Sequence, residues 1–571
     1  MNFQSLPTDA KSILALTWND YEPYYKALET RALDEGNIQA WLDDWSRVAE
    51  TADEQYWRLY IATTVNTADT AIEEAFNKYI EEIQPAVKIA EQKLKDKLLA
   101  SGLSPKSFET ALGRMRAEAE IFTEENLPLL AEEQKLVTEY NKLIGSLSVI
   151  WEGEERTLTQ MFPLMYEQDR AIRQRAWEAV QAQLLKERQN INDLWEKFMP
   201  VRLKIAENAN MPDYRAYMWK QRFRFDYSPE DCKSFHAAIE QVFVPAAKRV
   251  YAKRSQRLGV EALRPWDINV DPLGGSPIEP YESMDEFKQK LHTIFQQVDP
   301  AFGEYFQIMI DEDLLDLESR KNKAPGGYSL GLHVAHRPFV FMNHSNTPWD
   351  VQTMLHEGGH AFHEFERAHV NFYQRGEIYL PAEFGEVASM SMELLASPYK
   401  TKEGGGFYTA SEHARTMIEL LEGIITFLPY MALVDAFQHW IYENPVEGSD
   451  ASKCEDKWGE LWDRFIVGID YSGLEDHKKT YWHRQSHIFG SPFYYVEYGL
   501  AQLGAVQVWA NARRDQQKAV AAYRNALKLG ATVPLPELFA AAGAKFAFDE
   551  ETLRGAVNLL EEAIQEMETK L

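Results

Sequence analysis

The sequence predicts a mainly α-helical protein with one small β-sheet near its middle. Apolar residues recur at three- and four-residue spacing through most of the first 200 residues. Between about 260 and 345 the texture turns rich in Pro, Gly and Asp, with short runs suited to strands. Helical spacing returns from 347 and continues almost to Leu571.

The elements follow in order. "YEPYYKALETRALDEGNIQAWLDDWSRVAE" opens the helical region. "TAIEEAFNKYIEEIQPAVKIAEQKLKDKLLASG" continues it, interrupted by Pro85 and stopped by Gly102, which suits a helix C-cap. Trp41, Trp45, Tyr56 and Trp57 lie along these helices and are expected in the core. "LRPWDINVDPLGGSPIEPY" reads as a loop or extended segment. "GGYSLGLHVAHRPFVFMNHS" holds the strand-like runs, the clearest from Arg337 to Met342. In the C-terminal part, "TKEGGGFYT" breaks the helices and its glycines are expected to loosen one wall, while "ENPVEGSD" is a second loop. There is no internal repeat. The chain divides by character into a helical region, 1–200, and a region carrying the chemistry, 201–571.

Bulk properties narrow the function. A chain of 571 residues, 45% hydrophobic, can bury a large core. The formal net charge of −28 and the lack of a dense Lys/Arg run exclude an ordinary nucleic-acid binder and disfavour anionic membranes. Cys232 and Cys454 are too few for a disulfide framework. They lack the neighbouring Cys or His spacing of a structural zinc site, so buried thiols are expected. The N-terminus lacks the features of a secretory signal, and no apolar stretch suggests a membrane span. The expected address is the cytoplasm.

Twelve of the fourteen histidines fall between His333 and His487. Within that interval, "NTPWDVQTMLHEGGHAFHEFERAH" reads as a helix with Thr347 as N-cap, Pro348 in the first position and Asp350 in the third. His356 and His360 are four apart and so share one face, able to reach one zinc ion through neutral imidazoles. Glu357 completes the pattern His-Glu-x-x-His, placing a carboxylate near a metal-bound water without ligating the metal. Gly358 and Gly359 conflict with the helix, each costing about 0.5–1 kcal/mol, so close approach by another backbone or by substrate is expected there. His363 falls on a neighbouring face and is read as structural. Glu383, Glu386 and Glu393 all follow within reach as a third ligand. Glu386 and Glu393 are seven apart and share a face, and Glu393 also suits an acceptor for a ligand imidazole.

"HEGGHAFH" followed by "FGEVASMSMELL" resembles the thimet oligopeptidase / oligoendopeptidase F family of zinc metallopeptidases, most closely its bacterial oligoendopeptidase F branch. The resemblance extends through "PGGYSLG", "PFVFMNHSNTPWDVQTMLHE", "FQHWIYENP" and "HIFGSPFYYVEYGLAQLGA", and covers most of residues 200 to 510. It implies a zincin-like arrangement of two helical lobes around a deep substrate channel, with the small sheet beside the His-Glu-x-x-His helix. It selects Glu386 as the third ligand to one zinc per chain. It implies that His487 and one or more of Tyr498, Tyr495 and Tyr494, in that order, bind substrate and transition state. "HRPFVFMNHS" is expected as an edge strand that pairs with the peptide, with Gly326, Gly327 and Tyr328 shaping the adjacent wall.

The function implied is cleavage of internal bonds in oligopeptides by a metal-bound water, with Glu357 as general base. A carboxypeptidase or dipeptidase on the same framework is a second reading. An inactive peptide-binding scaffold is a third, which the intact His356, Glu357, His360 and Glu386 disfavour.

Overall fold

A computed structural model describes residues 1–375 and 380–571. The helices around the site are α1 (Ile38–Val65), α2 (Pro229–Leu258), α3 (Met284–Val298), α4 (Pro348–Arg367), α5 (Ala382–Leu395), α6 (Ala410–Glu443), α7 (Tyr495–Arg514) and α8 (Gln516–Leu527). The strands are β1 (Ser148–Trp151), β2 (Glu154–Thr157), β3 (Leu315–Asp316), β4 (Tyr328–Leu332) and β5 (Arg337–Phe341). The protein is mainly helical with small sheets, as the sequence predicts. Packing sorts the chain into two compact units, each built from three stretches. Unit 1 comprises Met1–Ala119, Ile278–His413 and Gly504–Phe546; unit 2 comprises Glu120–Pro277, Ala414–Leu503 and Ala547–Leu571. The division at residue 200 is one of sequence character, whereas this one is of packing.

In unit 1, Trp41 and Trp45 of α1 are buried, while Tyr56 and Trp57 are only half-buried, which corrects their assignment to the core. The helix expected to be interrupted at Pro85 passes through one π-helical turn, Tyr79–Ile83, before Gln84–Ser101. Gly102 then stops it at φ 68°. Glu91 on that helix is half-buried and accepts from Trp45 Nε1 at 3.1 Å and from Tyr25 Oη at 2.8 Å.

The sheet of unit 1 has the order β3-β5-β4. β4 and β5 run antiparallel, Tyr328 opposite Phe341 and Leu332 opposite Arg337, and β3 joins β5 in parallel. The expected strand at Arg337 is therefore present, but it is the central strand; the edge strands are β3 and β4. Two-sided pairing explains the apolar "PFVF" run better than an exposed edge would. Gly326 and Gly327 precede β4 instead of forming the hairpin turn. Gly326 has φ 100°, and a Cβ on Gly327 would lie 3.3 Å from the Phe341 carbonyl oxygen. The glycines of "TKEGGGFYT" form a closed turn, Gly406 N donating to Thr401 O at 2.8 Å and Phe407 N to Lys400 O at 2.8 Å, so they tighten the backbone.

In unit 2, a β-hairpin interrupts the helices of the first 200 residues. β1 pairs antiparallel with β2 across Glu152 and Gly153, both with positive φ (52° and 88°), as a two-residue primed turn requires. Val149 and Trp151 pack with Trp177, Val180 and Leu184. Helix α6 has 34 residues and a stretch with mean hydropathy 1.7, long and apolar enough to cross a bilayer, which the sequence reading did not anticipate. Since 67% of that stretch is buried inside the protein, burial among other helices accounts for its composition.

Candidate active site

Helix α4 begins as its sequence predicts. Asp350 Oδ2 accepts from the backbone N–H of Thr347 at 3.1 Å and of Ser345 at 2.9 Å, and from Tyr281 Oη at 2.6 Å. This buried carboxylate fixes the first turn, and with it the face carrying His356 and His360. Helix α5 lies along α4. The contact is close because a Cβ on Gly359 would stand 2.6 Å from Ala388 O and from Ser389 Cα, both backbone atoms of α5. A Cβ on Gly358 would stand 2.6 Å from the ring of Phe295 on α3. The glycine pair thus answers to another backbone on one side and an aromatic ring on the other.

That approach brings three donors together. His356 Nε2 lies 3.4 Å from Glu386 Oε2, and His360 Nε2 lies 3.8 Å from the same oxygen. Donors about 2.0–2.1 Å from one tetrahedral ion stand roughly 3.3 Å apart, so the spacing fits a single small cation. Glu393, two turns along α5, accepts from His356 Nδ1 at 2.6 Å, which directs Nε2 toward Glu386. Burial opposes a charge on His356, but the hydrogen bonds it donates to Glu386 and Glu393, and their negative charges, outweigh it and push the imidazole up to about 10. Burial would likewise raise Glu386, yet His356 and His360 hold it down at about 2. A cation held by His356, His360 and Glu386 would take the place of the proton that these carboxylates otherwise keep on His356. Zinc fits the set of two imidazoles and one carboxylate.

Glu357 is buried beside this group. Burial pushes its carboxyl up to about 7 with protein groups alone around it, the charges of Glu386 and Glu393 adding to the rise and His356 opposing it. Its proton can be exchanged near neutral pH. Glu383 is buried outside the triad, and His363 packs against Phe384.

The remaining expected residues form a cluster in unit 2. The His487 ring lies 5.1 Å from Tyr495, 5.8 Å from Tyr494 and 5.9 Å from Tyr498. Tyr430 Oη donates to Gln485 Oε1 at 3.0 Å, which turns the amide nitrogen of Gln485 to His487 Nδ1 at 2.8 Å. This network assigns the proton to Nε2 and makes His487 a donor there. Burial, with the nearby charge of Arg222, lowers the pKa of His487 and keeps it neutral. Burial raises the Tyr495 phenol, aided by Tyr498, so it too keeps its proton.

Three arginines hold this segment. Arg202 donates to Ile488 O at 3.0 Å and to Phe489 O, Arg222 to Pro492 O at 2.7 Å, and Arg224 to Glu497 at 2.6 Å and to Phe493 O. Phe493 takes φ 63°, a strained value for a non-glycine residue, with its N–H held by Gln438 Oε1 at 2.7 Å.

Unit 2 also contains a second group with metal-ligand chemistry, Cys232, Asp435 and His439. Cys232 and His236 are four apart on α2, a spacing the sequence reading passed over. His236 Nε2 donates to Asp435 Oδ2 at 2.8 Å. Arg215 donates to His439 Nδ1 at 3.2 Å, which leaves the His439 proton on Nε2, where a metal would need a lone pair. This group is therefore a buried hydrogen-bond cluster.

Two positioning residues escaped the sequence reading. Gln352 donates to Glu393 Oε2, and Gln485 orients His487. Gln352 stands four residues before His356, a helix-face spacing visible in the sequence. Gln485 precedes His487 by two, a spacing with no such signature.

The family model described as "Peptidase family M3" matches residues 163–557. Oligopeptidase PepF of Bacillus subtilis is 23% identical over 342 residues, 57% of this chain and 48% of its own length. The chromosomal oligoendopeptidase F of Lactococcus lactis subsp. cremoris is 22% identical over 415 residues, 71% of this chain and 65% of its own. The aligned stretches thus span about half to two thirds of these curated relatives. The structure of PZ peptidase A with inhibitor 2 superposes with a TM-score of 0.84 at 26% identity, covering 100% of both chains. With more than half of its length inside the family model, the chain belongs to peptidase family M3.

Proposed function

We propose that the chain is a zinc-dependent endopeptidase that hydrolyses internal bonds of oligopeptides. The observation that carries this reading is the convergence of His356 Nε2, His360 Nε2 and one Glu386 oxygen at spacings suited to one tetrahedral ion. Zinc, when bound, supplies a Lewis acid that acidifies water toward neutral pH and draws charge from a carbonyl. Glu357 takes a proton from water and returns it to the departing amine. His487, through Nε2–H, and Tyr498 and Tyr495, through their hydroxyls, donate to the peptide carbonyl as it gains negative charge. β4 is the longer of the sheet's two edge strands, and peptide backbone adds along it from Tyr328 onward, giving recognition that depends little on side chains.

The test is Glu357→Gln. About one zinc per chain should remain, and hydrolysis of a peptide mixture, followed by mass spectrometry with and without chelator, should be largely lost. Full activity in that variant removes Glu357 from the mechanism. A quenched peptide blocked at both ends separates the readings: an endopeptidase cuts it, a carboxypeptidase does not, and a scaffold cuts nothing.

A further inference from the structure

Unit 2 contains a cavity of about 310 Å³. Trp177, Trp462, Phe427, Tyr430 and Tyr471 contribute to its walls, and among the described residues Arg484 is its one charged lining residue. An apolar cavity of about 150 Å³ already takes a benzene ring, so this one has room for an aromatic side chain together with a polar end group. Arg484 stacks on Tyr481 at 5.1 Å, and among the described residues no carboxylate stands within 4.0 Å of its guanidinium. A guanidinium in an aromatic wall without an ionic partner is a place for a carboxylate supplied from outside.

The walls also lead to the donor cluster. Tyr430, whose hydroxyl holds Gln485 and through it His487, lines the cavity and lies 5.9 Å from Tyr495. Phe427, another wall, is 5.9 Å from the same ring. An occupant therefore touches the residues that orient the donors.

We propose that this cavity binds the C-terminal residue of the peptide substrate, its aromatic or large apolar side chain among the aromatic walls and its terminal carboxylate on Arg484. The proposal rests on the peptidase reading and extends it. An acidic side chain offers the same carboxylate, but it brings too little apolar bulk to fill the walls.

Calorimetry with N-acetyl-L-phenylalanine, its C-terminal amide and the α-amide of N-acetylglutamic acid tests this. The acid should bind saturably, at least about tenfold more tightly than the amide, and Arg484→Gln should abolish the difference. Gly423 lines the cavity on α6, and a Cβ there meets nothing within 4 Å. Gly423→Leu should therefore fill the space, keep the fold and remove binding of the acid. Equal binding of acid and amide, a preference that survives Arg484→Gln, or binding that survives Gly423→Leu overturns the proposal. So does a glutamate α-amide that binds as tightly as acetylphenylalanine, which assigns the carboxylate to a side chain. The end-blocked quenched peptide reports activity separately. Cleavage without acid preference removes the subsite alone, and preference without cleavage removes the activity alone.

Discussion

Substitution of Gly359 by alanine tests whether helix proximity builds the metal centre. The new Cβ would stand 2.6 Å from the Ala388 carbonyl oxygen, where ordinary contact begins at 3.4 Å, so α5 must retreat by about 0.8 Å. Ala388 O is also held by Tyr523 Oη at 2.7 Å, which resists the shift. Overpacking costs about 1–3 kcal/mol, and the better helix propensity of alanine returns roughly 0.8–1 kcal/mol. The net loss is too small to unfold a protein of ordinary stability. The displacement, however, moves Glu386 away from both imidazoles, and a misplacement near 1 Å costs roughly a hundredfold in rate. kcat/KM should thus fall about a hundredfold, with weaker zinc binding in a chelator titration and nearly unchanged thermal unfolding. Gly358→Ala is the control. It meets the Phe295 ring and, with the same propensity gain, should cost no more than about 2 kcal/mol of stability while keeping zinc affinity. A Gly359→Ala protein with wild-type kcat/KM and zinc affinity would refute the reasoning.

Three further outcomes are expected. Glu393→Gln leaves His356 without its anionic acceptor, and zinc affinity by competition with a fluorescent chelator should fall about 10–100-fold, an unchanged affinity removing that role. Gln485→Leu frees the His487 tautomer, so kcat should drop more than tenfold with KM little changed, and NMR should show both ring tautomers where the wild type shows one. His483 is buried against Asn192 Oδ1 at 2.8 Å, and burial, with the charge of Arg188, lowers its pKa from 6.5 to about 3. Its contribution is complete above pH 6.5 and is lost as the pH falls toward 3, because the unfolded chain takes the proton first; urea midpoints should reveal a loss of about 1.4 kcal/mol per pH unit that His483→Gln reduces.

Much of the centre was legible because helical spacing is local. The four-residue interval from His356 to His360 and the Thr347, Pro348, Asp350 start specify a helix and a shared face from neighbours in sequence. The third member of the candidate metal group was not, since Glu383, Glu386 and Glu393 differ only in where a second helix lies, and the Gly359 contact that sets that helix beside α4 joins residues about thirty apart. Resemblance, not spacing, singled out Glu386. β5 read as an edge strand because the two-residue partner β3 leaves no pattern of its own. The hairpin around Gly153 was missed because "SVIWEGEERT" is brief and its second strand is charged and exposed. Tyr56 and Trp57 show that aromatic residues at helical spacing do not by themselves mark the interior.

Unit 1 is completed by residues 504–546, far along the chain from α4 and α5. Helix α8 supplies Tyr523 to Ala388 and Arg524 to Glu366 at 2.6 Å, and so braces both helices from behind. A nascent chain that has not yet emerged past α8 lacks this brace. The pairing of α4 with α5 is therefore secured by contacts that span 135 and 158 residues of sequence, and such non-local contacts form late in folding because the long loops between them must close first.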